Sequence, residues 1–232
     1  VAGTGYTNRS TTITSLGNGW YKCTLGFTIP ASGVTSVQPK IWIGGYNGTN
    51  NAGMNIYAWG AQLEQGLFAT SYIPTTTATV TRAADVLTMP TGSWFNAPAG
   101  SVFTQADHFG GGAGDVGGVF ALNDSSVNNR IDLRAGQVQA VISSAGVSTS
   151  LNPISFSGGA AQKVAIEYSA SVAAGSRNGA SPLTGSPLVP IGISKLWIGN
   201  IDGGFYWLNG HVAKFKYYPK AVTTPQLQLL SQ

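Results

Sequence analysis

Apolar residues recur at every second position in short runs along this chain. From Tyr21 onward in Trp20–Ile29 the odd-numbered residues, Tyr21, Cys23, Leu25, Phe27 and Ile29, are apolar and most of their neighbours polar. That two-residue period predicts a strand with one buried face, and Cys23 reads as an apolar filler of that face. Similar runs predict strands at Lys40–Ile43 and Asn55–Leu63. After Ile73–Arg82, which carries no helical or strand period, they resume at Ser101–Ala106, Gly118–Leu122, Arg130–Arg134, Val138–Ile142, Lys163–Tyr168, Lys195–Ile198, Phe205–Leu208 and His211–Tyr218. Within Arg130–Arg134, Ile131 and Leu133 point one way and the charged residues the other. Trp59 alternates with Tyr57 and Leu63 and reads as core. Only the end predicts a helix, with Thr224 as N-cap, Pro225 at the first position and Leu227, Leu229 and Leu230 forming an apolar side.

Strands separated by Gly- and Asn-rich turns predict an all-β, antiparallel sandwich. The chain divides into a small β unit over residues 1–74, a Thr-rich extended linker over 75–85 and a larger sandwich over 86–232. Three or four strands in the first unit are too few to close a sandwich, so its missing strands are expected upstream or in neighbouring subunits.

Composition narrows the function. Hydrophobic residues make up 43% and charged residues only 9%, against about 25% charged in ordinary soluble domains. The polar surface is therefore rich in neutral hydroxyls and amides, which suits close subunit packing and contact with sugars. The net charge of +4 is spread without a Lys/Arg block, so a nucleic-acid partner is not expected. No apolar run reaches the roughly 20 residues of a membrane-spanning helix, and no signal peptide opens the chain. A chain that opens on Val1 reads as a fragment or a processed product. With one cysteine, Cys23, an intrachain disulfide is excluded.

Two stretches resemble known families. Trp59-Gly60-Ala61-Gln62-Leu63-Glu64-Gln65-Gly66, then Thr70-Ser71-Tyr72-Ile73-Pro74 and Thr81-Arg82-Ala83-Ala84-Asp85, resemble a motif of bacteriophage tail-fibre and other virion proteins. In that family it closes a jelly-roll unit like those of carbohydrate-binding modules, and Gly19-Trp20-Tyr21-Lys22-Cys23 is similar to an upstream strand of the unit. From about residue 86 the chain resembles a concanavalin A-like or laminin-G-like sandwich, on Arg177-Asn178-Gly179-Ala180, Leu196-Trp197-Ile198-Gly199, Leu208-Asn209-Gly210-His211-Val212 and Tyr217-Tyr218-Pro219. The resemblance implies a virion fibre or spike component at the particle surface, a homo-oligomer and specifically a trimer, with other virion proteins and host-surface polysaccharide as partners. The alternatives are a purely architectural or decorating virion protein and a polysaccharide depolymerase.

Catalytic chemistry is not expected. Glycoside hydrolysis needs two carboxyls roughly 5 to 10 Å apart, yet the two glutamates, Glu64 and Glu167, fall in different units, and the Glu-x-Asp-x-Glu pattern of hydrolases with the resembled fold is absent. His211 alternates with Ala213, Phe215 and Tyr217 and reads as a packed strand residue. His108, beside Phe109 and Gly110-Gly111-Gly112, reads as an exposed loop residue or a ligand contact. No cofactor or dedicated metal site is expected. Asp115, Asp124, Asn128, Asn129 and Asp132 supply oxygens of the kind calcium uses, but in no EF-hand spacing. The remaining candidates are aromatics for stacking on sugar rings: Trp42 and Tyr46 in the first unit, and Trp94, Tyr206 and Trp207 in the second. Asn129, Arg130, Asn200 and Asp202 are their polar neighbours. Core packing or subunit contact is the competing role for each.

Overall fold

The strands of the second half of the sequence pair into two antiparallel sheets laid face to face. A computed structural model describes residues 7–29, 36–41, 53, 55–64, 69–83, 85–109, 116–136, 139–151, 160–203 and 206–232. The chain forms two compact units, Val1–Arg82 and Ala83–Gln232.

In the second unit a five-stranded sheet has the order β11(Leu183–Gly185), β10(Ala173–Arg177), β9(Gln162–Ser169), β4(Ala99–Ala106), β13(Val212–Tyr218). A six-stranded sheet has the order β3(Leu87–Pro90), β12(Lys195–Ile198), β5(Gly117–Asn123), β6(Arg130–Ala135), β7(Gln139–Ser144), β8(Val147–Leu151). Sequentially distant strands lie side by side, β4 between β9 and β13 and β12 between β3 and β5, which are the crossovers of a jelly-roll sandwich. The inner faces bury Phe120, Leu122, Ile131, Leu133 and Ile142 from one sheet and Val102, Val164, Ile166 and Tyr168 from the other. Burying each such side chain contributes about 1.5–3 kcal/mol. Five strands that the periodicity missed, β1(Thr7–Gly17), β3, β8, β10 and β11, are either short or built largely of Ala, Gly, Ser and Thr, whose low hydropathy contrast hides the two-residue period.

One end of the sandwich is closed by an aromatic corner. The Tyr168 hydroxyl donates to the Asn96 carbonyl at 2.7 Å and meets the Tyr217 hydroxyl at 2.8 Å, while the Asn96 N–H donates to Tyr217 Oη at 2.9 Å. The phenol of Tyr168 is pushed far above its ordinary value by burial and by its bond to Tyr217. Trp94 packs edge-on to Tyr217 at 5.2 Å and to Phe95 at 5.9 Å. The two hydroxyls meet over Gly100, where a Cβ would stand 2.7 Å from both.

The outer face of the five-stranded sheet is covered by α1(Thr224–Leu230), whose Leu227 is buried against Ala165 and Ala174. The N-cap is Thr223 rather than Thr224: its backbone N–H donates to the Gln226 side chain at 2.9 Å, so the helix begins one residue early and Pro225 still sits in its first turn.

The first unit is different in kind. Its described strands are a single hairpin, β1 with β2(Trp20–Thr28). Cys23 is exposed rather than a core filler, and among the described residues of this unit none is buried. Residues 55–63 form no strand; of the strand expected at Lys40–Ile43, Lys40 and Ile41 are not in a strand, and the rest lies outside the described residues. In place of a ladder, the Gln62–Arg82 segment bonds through its side chains. Glu64 accepts from Thr70 N at 2.7 Å and Thr70 Oγ1 at 2.6 Å, Gln62 Oε1 accepts from Ile73 N at 2.9 Å, and Arg82 donates to the Ser71 carbonyl at 2.7 Å. The Thr70 bonds hold the Glu64 carboxyl below its ordinary value. Trp59 rests on Tyr72 at 4.9 Å yet is 77% exposed, so it is not core. This clasp accounts for the spacing of the motif: Gln62 and Glu64 reach the backbone of the Thr-Ser-Tyr-Ile stretch, and Arg82 locks its far end.

Gly100→Ala is expected to destabilise the second unit by about 1–3 kcal/mol through overpacking, read as a lower chemical-denaturation midpoint, and Tyr217→Phe in the same background is expected to recover part of the loss.

Candidate functional site

On the outer face of the six-stranded sheet, β6 sets Arg130, Asp132 and Arg134 on one side by the two-residue strand period. The sequence sets these charges on the face opposite Ile131 and Leu133, as the structure does, and there the Asp132 side chain is 0% exposed. It pairs ionically with Arg130, whose Nε lies 2.6 Å from Oδ2, and accepts hydrogen bonds from Arg134, Nε to Oδ1 at 3.1 Å and Nη2 to Oδ2 at 3.2 Å. Burial pushes the Asp132 carboxyl up, and Arg134 and then Arg130 oppose it. Two guanidiniums around one carboxylate leave a net positive charge on this face, with the arginine side chains 13% and 18% exposed.

The cover over this face is the loop that follows β12. Trp197 Nε1 donates to Asn123 Oδ1 at 3.0 Å, and Asn123 Nδ2 donates to the Ile201 carbonyl at 2.7 Å. Trp197, Ala121 and Ile201 form a small buried cluster. Gly203, at φ +81°, lies on the Trp197 ring, where a Cβ would come within 2.9 Å. Asn200 is fully buried and its Oδ1 accepts from Gly203 N at 2.9 Å; Asp202 is half-buried in the same loop. Backbone bonds anchor the segment: Gly199 N to Val119 O at 3.0 Å, Gly118 N to Tyr206 O at 2.6 Å and Leu208 N to Gly199 O at 2.9 Å.

This anchoring presents two aromatics at the rim. Tyr206 adopts a left-handed φ of +57°, uncommon for a bulky side chain, is 43% exposed and holds its ring 4.9 Å from the Arg134 guanidinium. Trp207, half-buried, lines a cleft of about 230 Å³ with Asp85, Ile198, Gly199, Leu208, Gly210 and Val212. Drug-sized ligands use roughly 300–1,000 Å³, so this cleft suits a single ring. An indole, a carboxylate and backbone polar groups can stack on a ring and accept from its hydroxyls. The stretch expected as strand Phe205–Leu208 is not a strand over Tyr206–Leu208, since its backbone bonds are spent on anchoring the loop.

The other candidates lie apart from this rim or serve the fold. Trp94 packs against the core in the aromatic corner. Asn129 donates to Asp124 Oδ2 at 2.8 Å and accepts from Ala145 N at 2.9 Å, tying the 124–129 turn to the β7–β8 hairpin. Arg130 also donates to the Val127 carbonyl. His108 is 1% exposed rather than an exposed loop residue, because Gly117 lets its ring pass and the Leu208 backbone closes over the same spot. His211 is the converse: it precedes β13, its side chain is 55% exposed, and it pairs with Asp107 at 3.1 Å, where Asp107 also accepts from the His211 N–H at 2.6 Å. Trp42 and Tyr46 lie outside the described residues. Sequence reasoning overlooked Asp85 and Arg134. Asp85 had a signal, as the last residue of the tail-fibre-like motif; Arg134 had only its strand phase with Asp132.

Of the oxygen donors considered for calcium, Asp132 is taken by arginines, Asp124 by Ser126 and Asn129, and Asp115 lies outside the described residues. Among the described residues no three His, Cys, Asp or Glu side chains gather to hold a metal ion, and no helix is long and apolar enough to cross a membrane. Glu167, on β9 beneath the helix-covered face, is 4% exposed, and burial pushes its carboxyl up.

Two predictions follow from these charges. Asp132→Ala leaves two guanidiniums facing each other without their counter-ion and is expected to cost about 3–5 kcal/mol, measured by urea denaturation. Glu167 ionises less readily folded than unfolded, so its contribution falls as pH rises from its ordinary value of 4.5 through its raised folded value and then levels off. Glu167→Gln is therefore expected to flatten that part of the stability–pH curve and to gain stability over wild type at neutral pH; parallel curves for the two proteins would refute the assignment.

No family model and no curated protein matches the sequence. Solved structures of similar shape include the CBM40 of a Ruminococcus gnavus IT-sialidase bound to α2,3-sialyllactose, at 11% identity and a TM-score of 0.47 over 59% of this chain and 84% of that one. A second is mouse laminin α1 domains LG4-5, at 12% identity and a TM-score of 0.47 over 61% of this chain and 41% of that one. A third is NanB solved with Optactamide, at 16% identity and a TM-score of 0.49 over 63% of this chain and 26% of that one. The chain thus spans about a quarter of the NanB chain and well under half of the laminin chain. The fold is an all-β, antiparallel β-sandwich.

Proposed function

We propose that this chain is a non-catalytic glycan-recognition component of a bacteriophage fibre or spike, displayed at the virion surface. The observation that carries the reading is the Trp207–Asp85 cleft and, next in sequence to Trp207, exposed Tyr206 over the half-buried Arg134 guanidinium. Trp207 offers the stacking plane, Asp85 accepts from ring hydroxyls, and Arg134, already steered by Asp132, donates at the rim. The virion assignment draws on the tail-fibre-like motif, whose last residue, Asp85, lies in this cleft, and on the neutral surface that 9% charged residues leave. Binding without catalysis fits the engagement of the acidic groups: Glu64 serves the clasp, Asp132 the arginines, Asp124 its turn and Asp107 His211. Other virion proteins and host-surface polysaccharide are the partners this reading names.

Titration of host-surface polysaccharide and a glycan array onto the purified full chain test it. Trp207→Ala and Asp85→Asn are each expected to weaken binding at least tenfold, about 1.4 kcal/mol, with Asp85→Asn keeping the wild-type melting temperature, and no reducing ends are expected to appear. Wild-type protein that ignores host polysaccharide while intact particles attach, or an Asp85→Asn protein that binds as wild type, removes the receptor role and leaves an architectural one. Released reducing ends support the depolymerase reading instead.

A further inference from the structure

Helix α1 covers only part of the sheet beneath it. Its Leu227 packs on Ala165 of β9 and Ala174 of β10, while β4 and the edge strand β13 lie beyond. The connection from β13 to α1 crosses back over β4 at Ser101, whose hydroxyl donates to the Lys220 carbonyl at 3.0 Å and accepts from the Val222 N–H at 3.0 Å. Between this connection, the helix and the end of β13 a groove of about 380 Å³ remains, lined by Tyr218, Lys220, Val222, Gln226, Leu229 and Leu230. That volume falls within the roughly 300–1,000 Å³ of small-ligand sites. The groove shares no lining residue with the Trp207 cleft.

The charge around the groove has one sign. Lys214 and Lys216 precede Tyr218 on β13 at two-residue spacing and so share its face, opposite Phe215 and Tyr217, which pack against the core. Lys214, Lys216 and Lys220 are exposed, and among the described residues no carboxylate pairs with them. Glu167 is the sole acidic side chain of the five strands and α1; it is 4% exposed, and burial favours its neutral form. Asp107, just past β4, is taken by His211. Successive outward residues of a strand stand about 7 Å apart, inside the Debye length of about 8 Å at physiological salt, so the fields of neighbouring lysines add at the groove. Lysines on an edge strand also discourage pairing with another sheet, but that role requires neither Lys220, which lies past the strand, nor the apolar groove beside it.

We propose that this groove binds an anionic sugar unit of an acidic polysaccharide, as a second saccharide site on the sandwich. Tyr218, Val222, Leu229 and Leu230 supply apolar surface for the C–H face of a pyranose, Gln226 an amide for its hydroxyls, and Lys220, backed by Lys216, the cation for its acid group. The choice of a sugar over an acidic peptide rests on the glycan-recognition reading above, and the experiment separates the two.

Calorimetric titration of the full chain with oligogalacturonate and with sulfated dextran oligomers tests it, the first probe carrying carboxylates and the second sulfates. Binding of either is expected. Lys220→Gln and Tyr218→Ala are each expected to weaken it at least about tenfold, as loss of a charge-assisted hydrogen bond or of a stacking ring requires, and Lys216→Gln by a smaller factor that vanishes at high salt. Lys195→Gln, on the other sheet, is expected to bind as wild type. Should Tyr218→Ala lower the melting temperature, Lys220→Gln decides. Loss in Lys220→Gln but not in Trp207→Ala supports the site whatever becomes of host-polysaccharide binding at the Trp207 cleft; loss in Trp207→Ala but not in Lys220→Gln overturns it. So does a chain that binds neither oligosaccharide, one that loses them as completely in Lys195→Gln as in Lys220→Gln, or one that binds oligoglutamate as tightly as the sugars.

Discussion

Everything in the second unit hangs on two antiparallel sheets closing over one apolar layer. Phe120, Leu122, Ile131, Leu133 and Ile142 on one side and Val102, Val164, Ile166 and Tyr168 on the other remove their surfaces from water together, and their combined burial is the term large enough to offset the chain entropy of the ordered strands. Because a strand's side chains alternate, fixing the inner face fixes the outer one as well. Asp132 is held on the outer face by the burial of Ile131 and Leu133 on either side of it. Two arginines, at the same phase two residues away, then make that position tolerable for a carboxylate.

The outer face in turn sets the rim. Trp197 shares the face of Asp132 and cannot be left to water, so the loop after β12 folds back over it. Gly203 allows the close approach, and Asn123 answers both the indole N–H and the Ile201 carbonyl. Once that loop is down, Tyr206 emerges in a left-handed conformation over Arg134 and Trp207 turns into the cleft. The exposed aromatics are thus a consequence of covering a buried one.

The two units illustrate opposite solutions for a chain with few charges. The sandwich hides its apolar surface within itself and buries Asp132 between Arg130 and Arg134. The first unit leaves Ile13, Tyr21 and Leu25 in the open and spends its hydrogen bonds on the Gln62–Arg82 clasp. The clasp joins side chains to groups six to eleven residues away.

The sequence by itself determined the all-β class and eight of the strand positions in outline, because a strand that buries one face must alternate, and alternation survives without knowledge of partners. Lys195–Ile198 was legible to the residue and Arg130–Ala135 nearly so. It also supplied Tyr206 and Trp207, as aromatics beside polar loops. Only the tertiary structure decided which faces meet water. Asp132 and His108 are polar by composition and buried by their neighbours, whereas Cys23 and Trp59 are apolar by alternation and exposed. The small-residue strand β10 was illegible for a related reason: Ala and Gly carry little hydropathy contrast and are placed in a sheet by the strands on either side. Asp85 joined Trp207 because β3, β12 and the 206–208 segment converge, and side chains more than a hundred residues apart in sequence meet only once the sheets have closed.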